Sequence, residues 1–362
     1  MSKTSLLCLF GGKSSEYEVS LISAHSILSN IDREKYAITT VGITKEGDWY
    51  LYTGDIDSIK DGTWCTKTDA LKKAALSPSP SDAALLVFNA DKVEYVHIDV
   101  IFPIMHGANA EDGTLQGLLK LSGIPFVGCG CVTSAIGMDK GFTKLVLYHY
   151  GIPQAKCEII DKFRLTLDID SVIEACEGIG TYPIFVKPAN AGSSVGASKA
   201  SNREELISAL TLAAEHDSKI IVEEYIKGKE IEVAVMGNRP MGTNAYTAST
   251  PGQINPGSEF YDYDAKYSAD SNSSCLIPAD IKPETAKKVQ EYARIICDAL
   301  GVTGLSRVDF FVTEDDRIIF NEINTLPGFT QISMYPKLRI HDGMTYPEVI
   351  DRLVELALEK GN

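Results

Sequence analysis

The sequence predicts an α/β protein with more than one domain, and three observations lead to that fold class. The first third of the chain alternates short β-branched strands with helical segments, which is the pattern of a parallel βαβ unit. Later segments place strands next to strands before a final helix, which is typical of α+β domains. A chain of 362 residues has room for two or three such domains, each with its own core.

The N-terminal elements are recognised as apolar runs that end in glycine or polar loops. In order, the pattern predicts a strand over Leu6–Phe10, a helix near Glu16–Asn30, strands over Thr39–Ile43 and Ile98–Met105, and a helix over Thr114–Ser122. The charged stretch that runs to about Asp91 shows no regular periodicity. We therefore expect a parallel α/β domain over residues 1–128.

The remaining elements predict two α+β domains, over residues 129–226 and 227–362. The central one is predicted to hold a strand over Ile184–Pro188, a helix over Arg203–Glu215 and a strand over Lys219–Glu224. The last one is predicted to hold a strand over Glu230–Met236, a hairpin, and a helix over Pro347–Lys360 with one broad apolar face.

Composition and charge exclude several classes of protein. Hydrophobic residues make up 44% of the chain and charged residues 23%, which is ordinary for a globular protein. The net charge of −15 argues against nucleic acid or an anionic membrane as a partner. No apolar run approaches the roughly 20 residues of a spanning helix, and no signal-type segment opens the chain, so a cytoplasmic protein is expected. The eight cysteines lack paired CxxC spacing, which favours reduced thiols over a metal site.

The predicted C-terminal hairpin carries the most specific signal for a site. Its strands read Leu305–Val312 and Arg317–Asn324, and the four residues between them are turn formers. If the residues that flank this turn pair directly, Arg307 lies opposite Glu322, and Asp309 lies diagonal to Glu322. Side chains two apart on a strand share a face, so Asn324 joins the same cluster.

Two carboxylates, an amide and a guanidinium on one strand face are suited to magnesium bound to phosphate. Magnesium prefers carboxylate oxygens together with substrate phosphates. The alternative is a hairpin whose charged face is simply solvated.

Two glycine-containing loops of the first domain follow strands and precede helices. Gly11-Gly12 leads into a helix whose start fits a capping box of Ser15 and Glu18, and Glu16 in the first turn could meet a substrate ammonium. The loop His106–Gly113 follows the next parallel strand. Because ligands bind at the carboxyl ends of such strands, both loops could line one crevice. The alternatives are a plain strand-to-helix turn and a structural histidine.

Three further segments predict a nucleotide site. Lys187 ends a strand before the Gly/Ser loop that reaches Gly196, and such a loop can wrap phosphate oxygens. The strand end at Glu223–Ile226 could hold a flat adenine, and Glu230 could accept from ribose hydroxyls. The irregular segment Gln253–Tyr267 predicts a lid. The alternatives are a flexible surface loop, a solvated strand end and a disordered insert.

Taken together, these pieces resemble the ATP-grasp superfamily, and within it the D-alanine–D-alanine ligases. The resemblance rests on motifs that occur in the family's order along nearly the whole chain: GGKSSEYEVS, HGANAEDGTLQG, GMDK, FVKPANAGSSVG, FYDYDAKY, SRVDFF and NEINTLPGFT. It implies a three-domain fold with ATP held between the central and C-terminal domains. It also implies a cytoplasmic enzyme that forms D-alanyl phosphate from ATP and D-alanine, which a second D-alanine attacks.

The resemblance assigns roles to residues of this chain. Cofactor-binding roles fall on Lys140, Lys187, Ser194, Glu223, Glu224, Ile226, Glu230, Lys266 and Phe311. Two Mg²⁺ ions, for which Mn²⁺ could substitute, are assigned to Asp309, Glu322 and Asn324. Catalytic roles fall on Glu16, Ser193, Arg307 and Tyr267. The substrate residues are Glu16, His106, Arg307, Ser333 and Met334.

The resemblance leaves the second substrate open among related ligases. An apolar Met334 beside that substrate favours the methyl group of D-alanine over the hydroxyl of D-serine. The alternative is a ligase of vancomycin-resistance type that uses D-serine or D-lactate. A non-catalytic ATP-binding sensor and another ATP-grasp carboxylate–amine ligase are further alternatives. The family likeness also implies a homodimer.

Overall fold

The computed structural model describes residues 3–192, 194–238, 242, 244–255 and 274–359. Within those residues the strands form three sheets, of seven, four and six strands. In the same part of the chain, no helix has both the length and the apolar character needed to cross a membrane.

The N-terminal sheet combines a parallel centre with an antiparallel extension. Its elements are β1 (Thr4–Gly11), α1 (Tyr17–Asn30), β2 (Tyr36–Ile43), β3 (Trp49–Tyr52), α2 (Asp57–Lys60), β4 (Leu71–Leu76), β5 (Ala84–Phe88), β6 (Val93–His97), β7 (Val100–Ile104) and α3 (Thr114–Ser122). The strand order is β6-β5-β4-β3-β2-β1-β7. Strand β1 pairs in parallel with β2 and β7, whereas the pairs from β2 to β6 are antiparallel.

The structure confirms the predicted parallel centre and corrects two details beside it. The charged stretch before residue 91, for which no element was predicted, contains three antiparallel strands, and a fourth follows it. Sequence patterning missed them because much of their surface faces solvent, including Tyr95 at 61% exposure. The capping box is also wrong: α1 begins at Tyr17 without a side-chain cap, and the Ser14 hydroxyl accepts from the Glu16 N–H instead.

The central sheet is antiparallel throughout and carries helices on its buried face. Its elements are β8 (Cys157–Asp161), α6 (Lys162–Leu167), α7 (Ile169–Glu177), β9 (Ile184–Pro188), β10 (Ser198–Ala200), α8 (Arg203–His216) and β11 (Lys219–Glu224). The order is β10-β9-β11-β8. Val186, Leu210 and Val222 belong to one buried apolar cluster, which packs α8 against the sheet and fixes the ends of β9 and β11.

The third sheet is built around the long strand β12. Its strands are β12 (Lys229–Asn238), β13 (Thr247–Ala248), β14 (Gly252–Asn255), β15 (Ser274–Leu276), β16 (Thr303–Val312) and β17 (Ile318–Asn324). The helices beside it are α4 (Cys131–Met138), α5 (Lys140–His149), α9 (Pro283–Leu300), α10 (Met334–His341) and α11 (Tyr346–Glu359). Leu147 of α5 shares a buried cluster with Phe310 and Phe320, so α5 packs on this sheet and delivers Lys140 to its edge.

The β16–β17 hairpin forms, but its register differs from the prediction at two places. The Thr313 N–H donates to the Arg317 carbonyl at 3.0 Å, so these residues belong to the ladder and Val312 lies opposite Ile318. A bulge between Asp309 and Phe310 then adds one residue to β17. Each of these differences moves the pairing of β17 with β16 by one residue, so the total shift is two residues. Because side chains alternate with a period of two, every site residue stays on the predicted face.

As a result, Asp309 lies directly opposite Glu322 rather than diagonal to it, and Arg307 lies opposite Asn324 rather than Glu322.

A continuous core joins the first and third sheets. Phe102 of β7 packs edge-on against Phe329 with ring centroids 6.1 Å apart, and Phe329 in turn contacts Tyr346 of α11. Leu305 of β16 lies in the same buried cluster as Phe10 of β1. This core holds the β1 and β7 strand ends against the β16–β17 hairpin.

Candidate functional site

Two adjacent cavities lie along the hairpin face. The larger of these two, called the large cleft, has a volume of about 270 Å³ and lies between the central and third sheets, where its lining includes Lys187, Glu223, Glu230 and Phe311. The small pocket has a volume of about 80 Å³, and its lining includes Glu16, His106, Glu111, Arg307 and Asn324. Both cavities are lined by Lys140, Ala191 and Glu322, so a ligand in one can meet a ligand in the other at these residues.

A buried three-residue charge cluster forms one wall of the large cleft. The Lys187 ammonium lies 2.8 Å from Glu223 Oε2, and Lys144 Nζ lies 2.5 Å from Glu223 Oε1. Burial works to raise the pKa of Glu223, but the two ammonium groups outweigh burial and lower that pKa to about 2. Lys187 keeps its charge as well, because Glu223 and Glu322 overcome the effect of burial and raise its pKa.

Lys140 stands where the two cavities meet. It is the first residue of α5, and the Asp139 carboxylate caps this helix by accepting from the Phe142 N–H at 3.0 Å. The Lys140 ammonium donates to the Ala191 carbonyl at 2.9 Å and lies 3.4 Å from Glu322 Oε2. A second ammonium is thereby placed at the carboxylate end of the large cleft.

The other predicted cofactor residues of the described chain also line the large cleft: Ser194, Glu224, Ile226, Glu230 and Phe311. Ser194 has a φ of 59°, a left-handed conformation that places it in the tight loop after β9. The Glu224 carboxylate accepts from the Lys156 N–H at 3.0 Å, so this side chain ties two backbone segments together.

The predicted face of the hairpin is present and is occupied by a bidentate ion pair. Arg307 donates from Nε to Asp309 Oδ1 at 2.8 Å and from Nη2 to Asp309 Oδ2 at 2.7 Å. The Asn324 amide nitrogen donates to Asp309 Oδ2 at 3.0 Å, which turns its amide oxygen away from Asp309. Burial works to lower the pKa of Arg307, but Asp309 and Glu232 hold it well above its ordinary value.

The donor set of this face fits a hard cation bound to phosphate. Among the described residues no three His, Cys, Asp or Glu side chains come together as a metal site. The hairpin instead offers two carboxylates, from Asp309 and Glu322, and the amide of Asn324, all on one face beside Lys140. Magnesium commonly takes one or two carboxylates and completes its shell with substrate phosphates and water, so this set is sufficient.

Glu16 lines the small pocket together with residues of the loop after β7. Its carboxylate lies against two glycines: a Cβ added to Gly107 would fall 2.7 Å from Glu16 Oε2, and one added to Gly192 would fall 3.0 Å from the same atom. The carboxylate is therefore enclosed by the loop after β7 and the loop after β9. This arrangement places an acceptor for an ammonium group in the small pocket.

His106 is hydrogen-bonded to the loop after β17. Its Nδ1 lies 2.8 Å from the Leu326 carbonyl, which can only accept, so Nδ1 carries the proton and Nε2 accepts from the Ser23 hydroxyl at 3.1 Å. The same hydroxyl accepts from the Phe329 N–H at 3.2 Å. Burial lowers the pKa of His106, so the ring is neutral and positions residues 326–329.

The structure does not bring every predicted residue to the cavities. The Ser333 hydroxyl accepts from the Thr330 N–H at 3.1 Å and lies at the start of α10. Met334 is 5% exposed and packs beneath Gly252, where an added Cβ would fall 2.3 Å from its Cε. Its side chain belongs to the core and lines neither cavity. The predicted residues Ser193, Lys266 and Tyr267 lie outside the described residues.

Sequence reasoning missed four polar residues of these cavities or of their walls: Glu111, Lys144, Glu232 and Asn321. Lys144 follows Lys140 by one helical turn, which could have revealed it. Glu232 lies two residues after Glu230 on β12, so their side chains share one strand face and Glu232 could have been inferred. Burial and the nearby Glu16 raise the pKa of Glu111 to about 8, an environment that its loop sequence does not show. Asn321 accepts from Lys187 at 3.3 Å and could not be assigned without the bulge.

Comparisons with known proteins cover the whole chain. A family model described as D-ala D-ala ligase N-terminus matches residues 5–129, and one described as D-ala D-ala ligase C-terminus matches residues 146–355. A D-alanine–D-alanine ligase of Ruminiclostridium cellulolyticum is 47% identical, with 99% of this chain and 96% of the relative covered. A second, of Acetivibrio thermocellus, is 46% identical, with 99% and 97% covered.

Solved structures of the same kind share the fold. The chain superimposes on the VanG D-Ala:D-Ser ligase of Enterococcus faecalis with a TM-score of 0.88 and 38% identity, covering 98% of this chain and 100% of the other. It superimposes on the D-alanine-D-alanine ligase of Coxiella burnetii with a TM-score of 0.84 and 31% identity, covering 100% and 95%.

Proposed function

The chain belongs to the D-alanine–D-alanine ligase family, and we propose that the large cleft is its ATP site and the small pocket its site for amino acids. The enzyme joins two D-alanine molecules at the expense of ATP to give D-alanyl-D-alanine for peptidoglycan synthesis. The observation that carries the assignment of the cavities is their shared boundary at Lys140 and Glu322. A phosphoryl group can be handed from one ligand to the other only at such a boundary.

The reaction requires two steps at that boundary. The carboxylate of the first D-alanine takes the γ-phosphoryl group of ATP, and ADP leaves. The amine of the second D-alanine then attacks the acyl phosphate, inorganic phosphate leaves, and the amine gives up its proton. Both steps build negative charge on phosphoryl or carbonyl oxygens, which fixed cationic donors stabilise.

The walls of the large cleft supply the nucleotide contacts. Lys140 and Lys187 hold phosphate oxygens, while the loop with Ser194 covers them. The strand end at Glu223–Ile226 receives adenine, Glu230 accepts from the ribose hydroxyls, and Phe311 packs against the flat base.

Asp309, Glu322 and Asn324 would hold two Mg²⁺ ions, with Mn²⁺ able to substitute. Bound there, the ions would neutralise the phosphate charge of ATP. Arg307 lies on the same face and meets the charge that develops on the transferred phosphoryl group and on the tetrahedral intermediate.

Glu16 receives the ammonium of the first D-alanine. Two glycines enclose its carboxylate, and this enclosure fixes the position of that ammonium relative to the boundary of the cavities. Neutral His106 keeps residues 326–329 in place above the pocket. Ser333 would receive the carboxylate of the second substrate, and the catalytic roles of Ser193 and Tyr267 stay predictions.

D-Serine is the second candidate for the attacking amino acid. The likeness to the VanG D-Ala:D-Ser ligase favours it, whereas the curated relatives of higher identity are D-alanine–D-alanine ligases. Met334 no longer argues for either substrate, because its side chain is buried in the core. A pocket discriminates weakly against one added hydroxyl, about a hundredfold at best, so D-alanine is proposed as the main substrate rather than the exclusive one.

The experiment that tests this function measures ADP release with magnesium, ATP and D-alanine, and identifies the product by mass. D-Alanyl-D-alanine from D-alanine alone is the expected result. Efficient ADP release only after D-serine or D-lactate is added would mean that the enzyme joins D-alanine to a different second substrate. Absence of release with every partner would contradict the ligase assignment.

Three further properties belong to the same proposal. The three sheets support three domains, proposed over residues 1–128, 129–226 and 227–362, although α4 and α5 of the second range pack on the third sheet. Consumption of ATP supports a cytoplasmic location. A homodimer is proposed from the family likeness, and sedimentation at several protein concentrations would test it.

A further inference from the structure

Both oxygens of the Asp309 carboxylate already accept hydrogen bonds, three in all. Its Oδ1 accepts from Arg307 Nε, and its Oδ2 accepts from both Arg307 Nη2 and Asn324 Nδ2. A divalent cation that binds Asp309 must therefore compete with the guanidinium. Once it does, Arg307 loses its bidentate partner in a buried place, which is strongly unfavourable unless another anion takes over.

Glu232 is positioned to be that anion. It lies on β12 directly opposite Asp309, is 7% exposed, and places Oε2 at 3.1 Å from Arg307 Nε. Within the described residues, the ion pairs of Arg307 are those with Asp309 and Glu232. The guanidinium is therefore already shared between two carboxylates.

The order of the strands separates Glu232 from the proposed cation ligands. Strand β16 lies between β12 and β17, so Glu232 and Glu322 flank Asp309 on opposite sides. A cation held by Glu322, Asn324 and Asp309 lies on the β17 side. Arg307 can then remain on the β12 side without leaving the sheet face.

We propose that Glu232 is a positioning residue that keeps the Arg307 guanidinium fixed when a divalent cation takes Asp309. Glu232 then acts on the reaction through Arg307 and does not ligate the cation itself. The inference rests on the proposed cation site of the hairpin, and it assigns a function to a buried carboxylate that the ligase motifs do not contain.

The test is a double-mutant cycle on cation affinity, which separates this role from simple attraction of the cation. Mn²⁺ binding in the presence of ADP is measured from the electron paramagnetic resonance signal of free Mn²⁺, without any turnover. Glu232→Met should weaken Mn²⁺ binding about tenfold in the wild-type background, because Arg307 then stays on Asp309. In an Arg307→Met background the same change should weaken binding by less than about twofold, because the competitor is gone.

Other outcomes would overturn the inference. Equal weakening in both backgrounds would mean that Glu232 attracts the cation directly, and no weakening in either would mean that it plays no part. If wild-type protein binds no Mn²⁺ with ADP, the cation site itself fails, which is distinct from failure of Glu232 alone.

Two further variants keep the test interpretable. Glu232→Gln preserves the size and one oxygen acceptor, so it should fold and give a smaller, about threefold, weakening in the same cycle. Asp280→Asn removes the 2.8 Å ion pair of Lys229 on the same strand, at a side chain that is 78% exposed. Its Mn²⁺ affinity should match that of the wild type.

A kinetic readout accompanies the binding cycle. Glu232→Gln should lower kcat for D-alanine ligation about tenfold while KM for ATP changes less than about threefold, because Arg307 acts mainly in the transition state. A parallel rise of KM for ATP would indicate a general distortion of the cleft instead.

Discussion

Gly192 lies close to Glu16, because a Cβ added at position 192 would fall 3.0 Å from Glu16 Oε2. Gly192 follows β9 of the central sheet, and Glu16 lies between β1 of the N-terminal sheet and α1. The absence of a side chain at this glycine lets the loop after β9 lie against the Glu16 carboxylate, which is proposed to receive the first substrate. The position proposed for the substrate ammonium therefore depends on the absence of a side chain at Gly192.

Gly192→Ala should displace the Glu16 carboxylate and weaken binding of the first D-alanine. We expect KM for that substrate to rise about tenfold while KM for ATP stays within about threefold, as measured by steady-state ADP release. Gly117→Ala in α3 is the matched control, because its added Cβ meets no atom within 4 Å. That control should leave kinetics unchanged and stabilise the helix by about 0.5–1 kcal/mol. Equal effects of both substitutions would refute the role of the Gly192 contact.

Lys144→Met should destabilise the fold because it removes one of two cations from a buried carboxylate. Breaking a buried ion pair by removing one partner costs about 3–5 kcal/mol, and we expect a loss in this range in urea unfolding. The control is Lys45→Met, which breaks the pair with Glu18, where both side chains are more than half exposed. Exposed pairs contribute less than about 1 kcal/mol. A loss at Lys144 no larger than that of the control would show that Glu223 is adequately paired by Lys187 alone.

Much of the fold was predictable because the ends of its apolar runs coincide with residues that end helices or strands. The ends of β9, β11 and α3 match the prediction residue for residue, since proline, glycine or a change of period marks each of them. The strands between residues 49 and 97 escaped prediction because few of their side chains are buried, so the period-two signal is weak.

The site was predictable where its residues lie on one hairpin and less so where it is assembled from several elements. Asp309 and Glu322 share a face whatever the exact register, because a shift of two residues preserves the side-chain period. The partners of Glu223 come from α5 and β9, and no local pattern could pair them. Met334 was assigned to the second substrate by the family likeness, whereas the structure buries its side chain in the core at the start of α10.

The buried Glu223 should make stability depend on pH in the acid range. Its pKa in the folded state is lowered to about 2, whereas the unfolded chain binds the proton near the ordinary value of 4.5. The unfolded state therefore binds more protons between these values, so the stabilisation is complete above pH 4.5 and is lost as the pH falls toward 2. The shift corresponds to about 3 kcal/mol in total.

Urea unfolding at pH 5, 4 and 3 checks this expectation. The free energy of unfolding should fall more steeply for the wild type than for Glu223→Gln, which cannot titrate. Identical slopes for both proteins would mean that other carboxylates account for the acid sensitivity.

Arg307→Lys should reduce turnover far more than nucleotide binding. Lysine keeps the positive charge but cannot reproduce the bidentate contact that Arg307 makes with Asp309, nor reach Glu232 in the same geometry. Removal of one fixed donor to transition-state charge typically costs 10²–10³ in rate, so we expect kcat to fall about a hundredfold. KM for ATP should change less than about threefold, because Lys140 and Lys187 remain.

Steady-state kinetics with ATP and D-alanine varied in turn measure both values. Arg352→Lys on α11, at an exposed ion pair, serves as the control. Equal losses in kcat and in ATP affinity would place Arg307 in ground-state binding rather than in the stabilisation of the transition state.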